Sequence, residues 1–194
     1  MPTIGVLALQ GAFIEHARKL ERIGVEAREV RLPPDVAGLD GLIIPGGEST
    51  TIGKLIERFS LRDPILALAA ANRPIWGTCA GLILLGREVD PDTRAREQPL
   101  LGLLDVAVRR NAFGAQIDSF ETTLDVPVLG PAPLPAVFIR GRVVSAVGPA
   151  VEVLARLPGG QPVAVRQGNL VGTAFHPELT ADDRFHAWFA GLAA

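Results

Sequence analysis

Cysteine is nearly absent: Cys79 is the only one in 194 residues. No internal disulfide can form, which fits a reducing compartment and leaves a single free thiol to explain. Lysine is almost as scarce, with Lys19 and Lys54 set against many arginines, a bias we assign to the genome rather than to chemistry. Basic runs are missing as well. With a formal net charge of -2 and its charges scattered, the chain lacks the electrostatic footprint of a nucleic-acid binder, and no nucleic-acid partner is expected. The longest apolar stretches, residues 65–71 and 81–86, fall far short of the roughly 20 residues of a membrane span, so no membrane association is expected. The start, Met1-Pro2-Thr3-Ile4-Gly5-Val6, has neither the basic region nor the apolar core of a secretory signal, and a cytoplasmic location follows as the expectation. What is present is ordinary globular usage, 48% apolar and 21% charged, in a length suited to one domain over residues 1–194.

The order of apolar runs predicts an α/β fold. Residues 3–9 read as a buried strand, and Phe13, Ala17, Leu20 and Ile23 recur at helical spacing until Gly24 stops them. Residues 25–31 alternate as a second strand. A third run, 41–45, ends abruptly in Pro45-Gly46-Gly47, after which Ser49 can cap a helix through about residue 59. A helix over 63–71, a strand over 74–78 and a new helix from Ala80 continue the rhythm. Such alternation implies a mostly parallel sheet covered by helices on both faces, with ligand sites beyond the strands' carboxyl ends. The second half reads as short β segments at 103–110, 120–126, 136–139, 151–157, 162–167 and 170–175, a smaller antiparallel section. Gly159-Gly160 and Gly168-Asn169 mark its turns, 127–135 is a Pro-rich surface loop, and 182–192 closes the chain as a helix.

Three motifs carry chemistry. Gly77-Thr78-Cys79-Ala80-Gly81 stands where a buried strand turns sharply into a helix, a nucleophile elbow with Cys in place of Ser. Flanking glycines let backbone approach closely, the turn lifts the thiol out of the sheet, and the helix N-terminus favours thiolate over thiol. A thiolate needs a base that hands a proton to the leaving group, and His16, His176 and His186 are the only histidines. His176 follows a strand as His176-Pro177-Glu178, and in extended backbone residues two apart project to one side. Glu178 can then fix the tautomer of His176 while the ring faces Cys79. Pro45-Gly46-Gly47-Glu48-Ser49 is a glycine turn at a strand's end. Its free N–H groups, together with that of Ala80, suit the oxyanion of an attacked amide, so the oxyanion hole is placed at Gly47 and Ala80.

Taken together these three motifs resemble the class I (triad) glutamine amidotransferase family. Within it, Leu9-Gln10-Gly11-Ala12, Glu15-His16, Gly46-Gly47-Glu48-Ser49-Thr50-Thr51, Arg110-Asn111, Phe113-Gly114, Asp118-Ser119-Phe120-Glu121 and Phe138-Ile139-Arg140 resemble the glutaminase subunits of pyridoxal 5'-phosphate synthase over nearly the whole chain. The resemblance implies a flavodoxin-like three-layer fold and hydrolysis of L-glutamine to glutamate and ammonia through Cys79, His176 and Glu178. It also implies a substrate pocket formed by Gln10, Gly46, Gly47, Glu48, Ser49, Arg110, Ile139 and Arg140. Arginine suits the substrate carboxylate, and Glu48 or backbone carbonyls its ammonium. The implied partner is a (β/α)8 synthase subunit, in a large hetero-oligomer with equal numbers of the two chains, and no cofactor or metal is expected. Glu15-His16 is a signature without a catalytic task; its helix position reads as a solvated face. Ala115 stands where the family usually has Arg, and Gly141-Arg142 where it often has Ala-Pro, departures that bear on partner contact.

Two other readings share part of these signals. One is a class I glutaminase serving another synthase, such as that of imidazole-glycerol phosphate formation, which would lack the Leu9-Gln10-Gly11 and Phe138-Ile139-Arg140 signatures. The other is a stress protein, cysteine peptidase or idle binding module on the same sheet, which loss of His-Pro-Glu would favour.

Overall fold

The computed structural model describes residues 1–94, 97–109, 119–139 and 143–194. The first apolar run forms β1 (Thr3–Leu7), and the helical pattern after it forms α1 (Phe13–Arg22). Next come β2 (Glu26–Val30), β3 (Gly41–Ile44), α2 (Ser49–Arg58), α3 (Arg62–Ala70), β4 (Ile75–Thr78) and α4 (Ala80–Leu85). The second half contains β5 (Gly86–Val89), α5 (Pro91–Arg94), β6 (Leu104–Arg109), β7 (Ser119–Leu124), β8 (Leu134–Ile139) and β9 (Val143–Val147). It ends with β10 (Glu152–Arg156), β11 (Pro162–Gln167), β12 (Leu170–Thr173) and α6 (Arg184–Leu192).

The main sheet has seven strands in the order β10-β11-β12-β4-β3-β1-β2. From β12 to β2 every pairing is parallel, and β11 and β10 extend one edge as antiparallel strands. β5 and β9 flank β6 in a small second sheet, and β7 with β8 forms a separate hairpin. This is the expected mostly parallel α/β architecture with an antiparallel supplement.

Alternation along β4 shows how the layers are laid. Trp76 stacks on Phe185 of α6 at 4.8 Å between ring centroids and meets His16 of α1 edge-on, so even positions face the α1/α6 layer. Gly77 points to the opposite side, where any side chain would collide with the backbone of Gly81 and Leu82 in α4. β12 repeats the division, since a side chain at Gly172 would strike Leu82, whereas Thr173 accepts a hydrogen bond from the Trp76 indole. A continuous core of buried Ile, Leu, Val and Phe fills both interfaces.

Several expectations needed correction. Glu48, not Ser49, is the N-cap of α2: its carboxylate accepts from the N–H groups of Thr50 at 3.3 Å and Thr51 at 2.7 Å, while Ser49 is the first helical residue. The last parallel strand ends at Thr173, short of residue 175. Pro135 lies inside β8, so the Pro-rich loop is shorter than expected and contains a single 3-10 turn at Pro127–Leu129. β5 and β9 were not anticipated. The middle of β5 is exposed Arg87-Glu88 and most of β9's described positions are exposed, so pairing with β6 rather than a hydrophobic pattern makes them strands.

Candidate active site

The carboxyl ends of β1, β3, β4 and β12 deliver four loops to one place. Strong local constraints hold them. The N–H of Cys79 donates to Thr173 O at 2.7 Å, that of Ala12 to Gly46 O at 3.0 Å, that of His176 to Val137 O of β8 at 2.8 Å, and that of Glu48 to the Gln10 side-chain carbonyl at 2.8 Å.

Cys79 sits between β4 and α4 with φ of 51° and ψ of -98°. An L-residue held there carries strain of roughly 1–3 kcal/mol, and the surrounding packing must enforce it. Gly81 is part of that enforcement, because a Cβ at this position would run into the carbonyl of Ile44, and only glycine lets α4 start so close to β3. The elbow expected from the sequence is therefore present. Ala80 opens α4, and its N–H belongs to the first turn, which the helix's own ladder leaves unpaired. Since α4 has only six residues, the local N–H groups matter here more than a long helix dipole.

His176 and Glu178 meet as expected, with Nδ1 of His176 at 2.6 Å from Glu178 Oε1, but by a different route. Pro177 opens a 3-10 turn over Pro177–Leu179 in place of extended backbone, and that turn, not strand alternation, brings the carboxylate back under the ring. Both residues are buried. Burial alone would keep His176 neutral, yet hydrogen bonding and charge from Cys79 and Glu178 outweigh it and raise its pKa to about 10. The ring is thus imidazolium at neutral pH, beside Cys79. Burial likewise opposes ionisation of Glu178, but His16 and the hydrogen bond from His176 prevail, and its pKa falls below the ordinary carboxylate value.

A cavity of about 440 Å³ opens over these groups, within the range of small-molecule sites. Its walls are Gln10, Gly11, Ala12, Gly46, Gly47, Glu48, Cys79, Ile139, His176 and Leu179. Of the residues singled out in the sequence, Gln10, Gly46, Gly47, Glu48, Cys79, Ile139 and His176 line it, and Glu178 lies buried behind His176. Gly46 has a steric reason to be glycine, since a Cβ there would come within 2.5 Å of the His176 ring. Ser49 is buried away from the cavity walls, and its hydroxyl lies 2.8 Å from Gln98 Oε1. The Glu48 carboxylate is engaged as the cap of α2. Arg110 and Arg140, with Ala115 and Gly141-Arg142, lie outside the described residues.

The solvated face assigned to Glu15-His16 is overturned for the histidine. His16 is fully buried, with Nδ1 2.9 Å from His186 Nε2, and Nε2 3.2 Å from Thr78 Oγ1 and 3.5 Å from Glu178 Oε2. Burial, aided by neighbouring cations, lowers its pKa to about 3, so it is a neutral imidazole; His186 is lowered to about 3 for the same leading reason. A signal was available, because residue 16 falls on the same helical stripe as Phe13, Ala17 and Leu20. Leu179 was missed as well: only the 3-10 turn carries it to the cavity mouth, where it is exposed.

A family model described as the SNO glutamine amidotransferase family matches residues 6–192. A curated protein of Herpetosiphon aurantiacus named pyridoxal 5'-phosphate synthase subunit PdxT is 60% identical over 190 residues, 98% of this chain and all of that one. Its counterpart of the same name from Chloroflexus aggregans is 53% identical with the same coverage. A crystal structure described as a glutamine amidotransferase superposes with a TM-score of 0.91 at 49% identity, covering 98% of both chains. PurLQS from Thermotoga maritima, at 17% identity and a TM-score of 0.73 over the whole chain, shares the fold.

Proposed function

The chain belongs to the SNO glutamine amidotransferase family, and from that premise we propose that it is the glutaminase subunit of a pyridoxal 5'-phosphate synthase, with Cys79, His176 and Glu178 as its triad. The observation that carries this reading is the 2.6 Å His176–Glu178 pair at a cavity that the strained, buried Cys79 also lines.

In this reading the Cys79 thiolate attacks the carboxamide carbon of L-glutamine. The oxyanion is met by N–H groups of Gly47 and Ala80. The tetrahedral intermediate collapses with cleavage of the C–N bond as the His176 imidazolium gives its proton to the nitrogen, and ammonia departs. Water then adds to the glutamyl thioester, losing a proton to the now neutral His176, and glutamate leaves as the thiolate is regenerated. Glu178 holds the ring by Nδ1 and stabilises its charge throughout. The substrate's backbone end is assigned to Gln10, Gly46, Gly47, Glu48, Ile139, Arg110 and Arg140, and Ser49, turned toward Gln98, is left out of it.

Ammonia released into bulk water at neutral pH is protonated and ceases to be a nucleophile, so the chemistry requires a partner that receives it directly. The names of the relatives support a synthase subunit in that role, and we propose a (β/α)8 barrel assembled with this chain in equal numbers, acting in the cytoplasm, with each glutaminase a single domain over residues 1–194. Among the described residues no helix is long and apolar enough to cross a membrane. The test is glutamate release from glutamine with and without the cognate synthase, for the wild type and for Cys79→Ala. Release by the wild type in the complex and none by Cys79→Ala supports the reading. A wild type silent in both assays overturns it.

A further inference from the structure

All three histidines of the chain lie in one buried line, only one end of which reaches the cavity. His186 of α6 touches His16 of α1, His16 faces Glu178, and Glu178 holds His176 beside Cys79. The elements involved are remote in sequence, and nothing in the reaction as written above uses His16 or His186.

The carboxylate of Glu178 is bound through only one oxygen. Oε1 accepts from His176, whereas Oε2 is buried with no hydrogen-bond partner among the described residues. A buried carboxylate oxygen without a donor is costly. The group that faces Oε2 is Nε2 of His16 at 3.5 Å, an ion–dipole contact slightly longer than a normal hydrogen bond. The same nitrogen is 3.2 Å from Thr78 Oγ1, on the residue that precedes the nucleophile.

We propose that His16 is a positioning residue of the glutaminase: as the neutral Nε2–H tautomer it aims its N–H between Thr78 and Glu178, with His186 donating to its Nδ1 from behind, and so orients the carboxylate that holds His176. The inference rests on the triad reading above and deepens it.

The tautomer follows from the neighbours. A lone pair at Nε2 would face an ionised carboxylate across 3.5 Å, so the proton belongs there. Nδ1 is then an acceptor, and the nitrogen 2.9 Å away, Nε2 of His186, must carry its own proton. Neutrality matters too. A cation in this position would compensate the charge of Glu178 and weaken its hold on the His176 imidazolium, whereas an N–H dipole orients the carboxylate and leaves its charge intact. The surroundings enforce this state: His16 faces Glu178 and His176 from the segment after β12, His186 from α6, Thr78 and the edge of Trp76 from β4, and Lys19 on its own helix. Burial, His186, His176 and Lys19 all oppose protonation, and only Glu178 favours it.

The test compares His16→Gln with His16→Met in the complex with the cognate synthase. The two side chains are close in shape, but only Gln offers an N–H where Nε2 stands. Met should lower kcat for glutamate release on the order of tenfold to a hundredfold with KM unchanged. It should also move the acid limb of the kcat profile to higher pH, because Glu178 ionises less readily without the dipole. Gln should restore most of both. Equal losses in the two variants, or a loss confined to KM, would overturn the positioning role. A wild-type measurement covers the case in which neither variant folds: nitrogen-15 NMR of histidine-labelled protein should show His16 neutral and protonated at Nε2 through the working pH range. A proton at Nδ1, or titration near neutrality, sinks the proposal. If the wild type turns over and Cys79→Ala does not, failure of these tests rejects the role of His16 alone. A wild type that releases no glutamate rejects the glutaminase reading beneath it.

Discussion

Two acid–base clusters sit almost side by side on the segment that leads into α6. In one, Glu178 is buried with His176 and His16; in the other, Asp182 and Asp183 lie nearer the surface with Arg184, Arg22 and Lys19. Both contain a carboxylate beside nitrogen bases, and in both the carboxyl pKa is lowered. The causes differ. Asp183 is brought to about 2 chiefly by the Arg22 guanidinium, an always-charged partner at the surface that ties α1 to the start of α6. Glu178 stays ionised against a desolvation penalty that is its largest single influence, and its partners are two imidazoles, His16 kept neutral by burial and His176 charged in spite of it. An exposed ion pair makes a weak clasp. Sealed away from water, the same kind of groups control which atom carries a proton, which is what acid–base chemistry needs.

Three perturbations probe that contrast. The largest effect is expected from Glu178→Gln, which keeps the shape but removes the charge that supports the His176 imidazolium. We expect kcat in the complex to fall on the order of 10²- to 10⁴-fold while KM changes little. If steady-state assays show Glu178→Gln to be nearly silent on kcat, the distinction between the clusters collapses. Next is acid stability. His16 and His186 have folded pKa values near 3, whereas an unfolded histidine titrates near 6.5. Their contribution is complete above about 6.5 and is lost as pH falls from there toward 3, because the unfolded chain takes up protons that the fold refuses. His176, raised above its unfolded value, is protonated in both states below about pH 5.5 and adds no slope there, while near 6.5 it offsets part of the loss from the other two. Urea unfolding at successive pH values should therefore show stability falling by up to about 1.4 kcal/mol per pH unit for each buried histidine. A flat profile between pH 6 and 4 would mean that these rings are not held neutral. The smallest effect is expected from Asp183→Asn. Loss of the clasp to Arg22 and Lys19 should lower Tm by no more than about 4 °C, less in high salt, with kcat untouched. A drop in kcat would tie the surface cluster to the active site after all.

The geometry of the candidate site was legible in the sequence where it is local. The elbow at Cys79 was legible because a strand, two glycines and a helix start within five residues leave little geometric freedom, and the structure has it with φ of 51°. The His176–Glu178 pair was legible as a pair, although the reason given for it was strand alternation and the chain uses a 3-10 turn opened by Pro177. Helix starts were less secure. Glu48 and Ser49 are adjacent and both can cap; in the fold Gln10 takes the N–H of Glu48, and the Glu48 carboxylate accepts from Thr51. β5 and β9 left no usable pattern, because their partner β6 makes them strands.

By itself, then, the sequence determined the α/β alternation, the elbow at Cys79 and the pairing of His176 with Glu178, all of which depend on contacts between residues close along the chain. Tertiary structure alone decided that His16 and His186, separated by 170 positions, come within 2.9 Å of each other behind Glu178 and are neutral there. The physical reason is that protonation is set by burial and by whichever charges packing brings near, and neither is a property of a residue's neighbours in sequence.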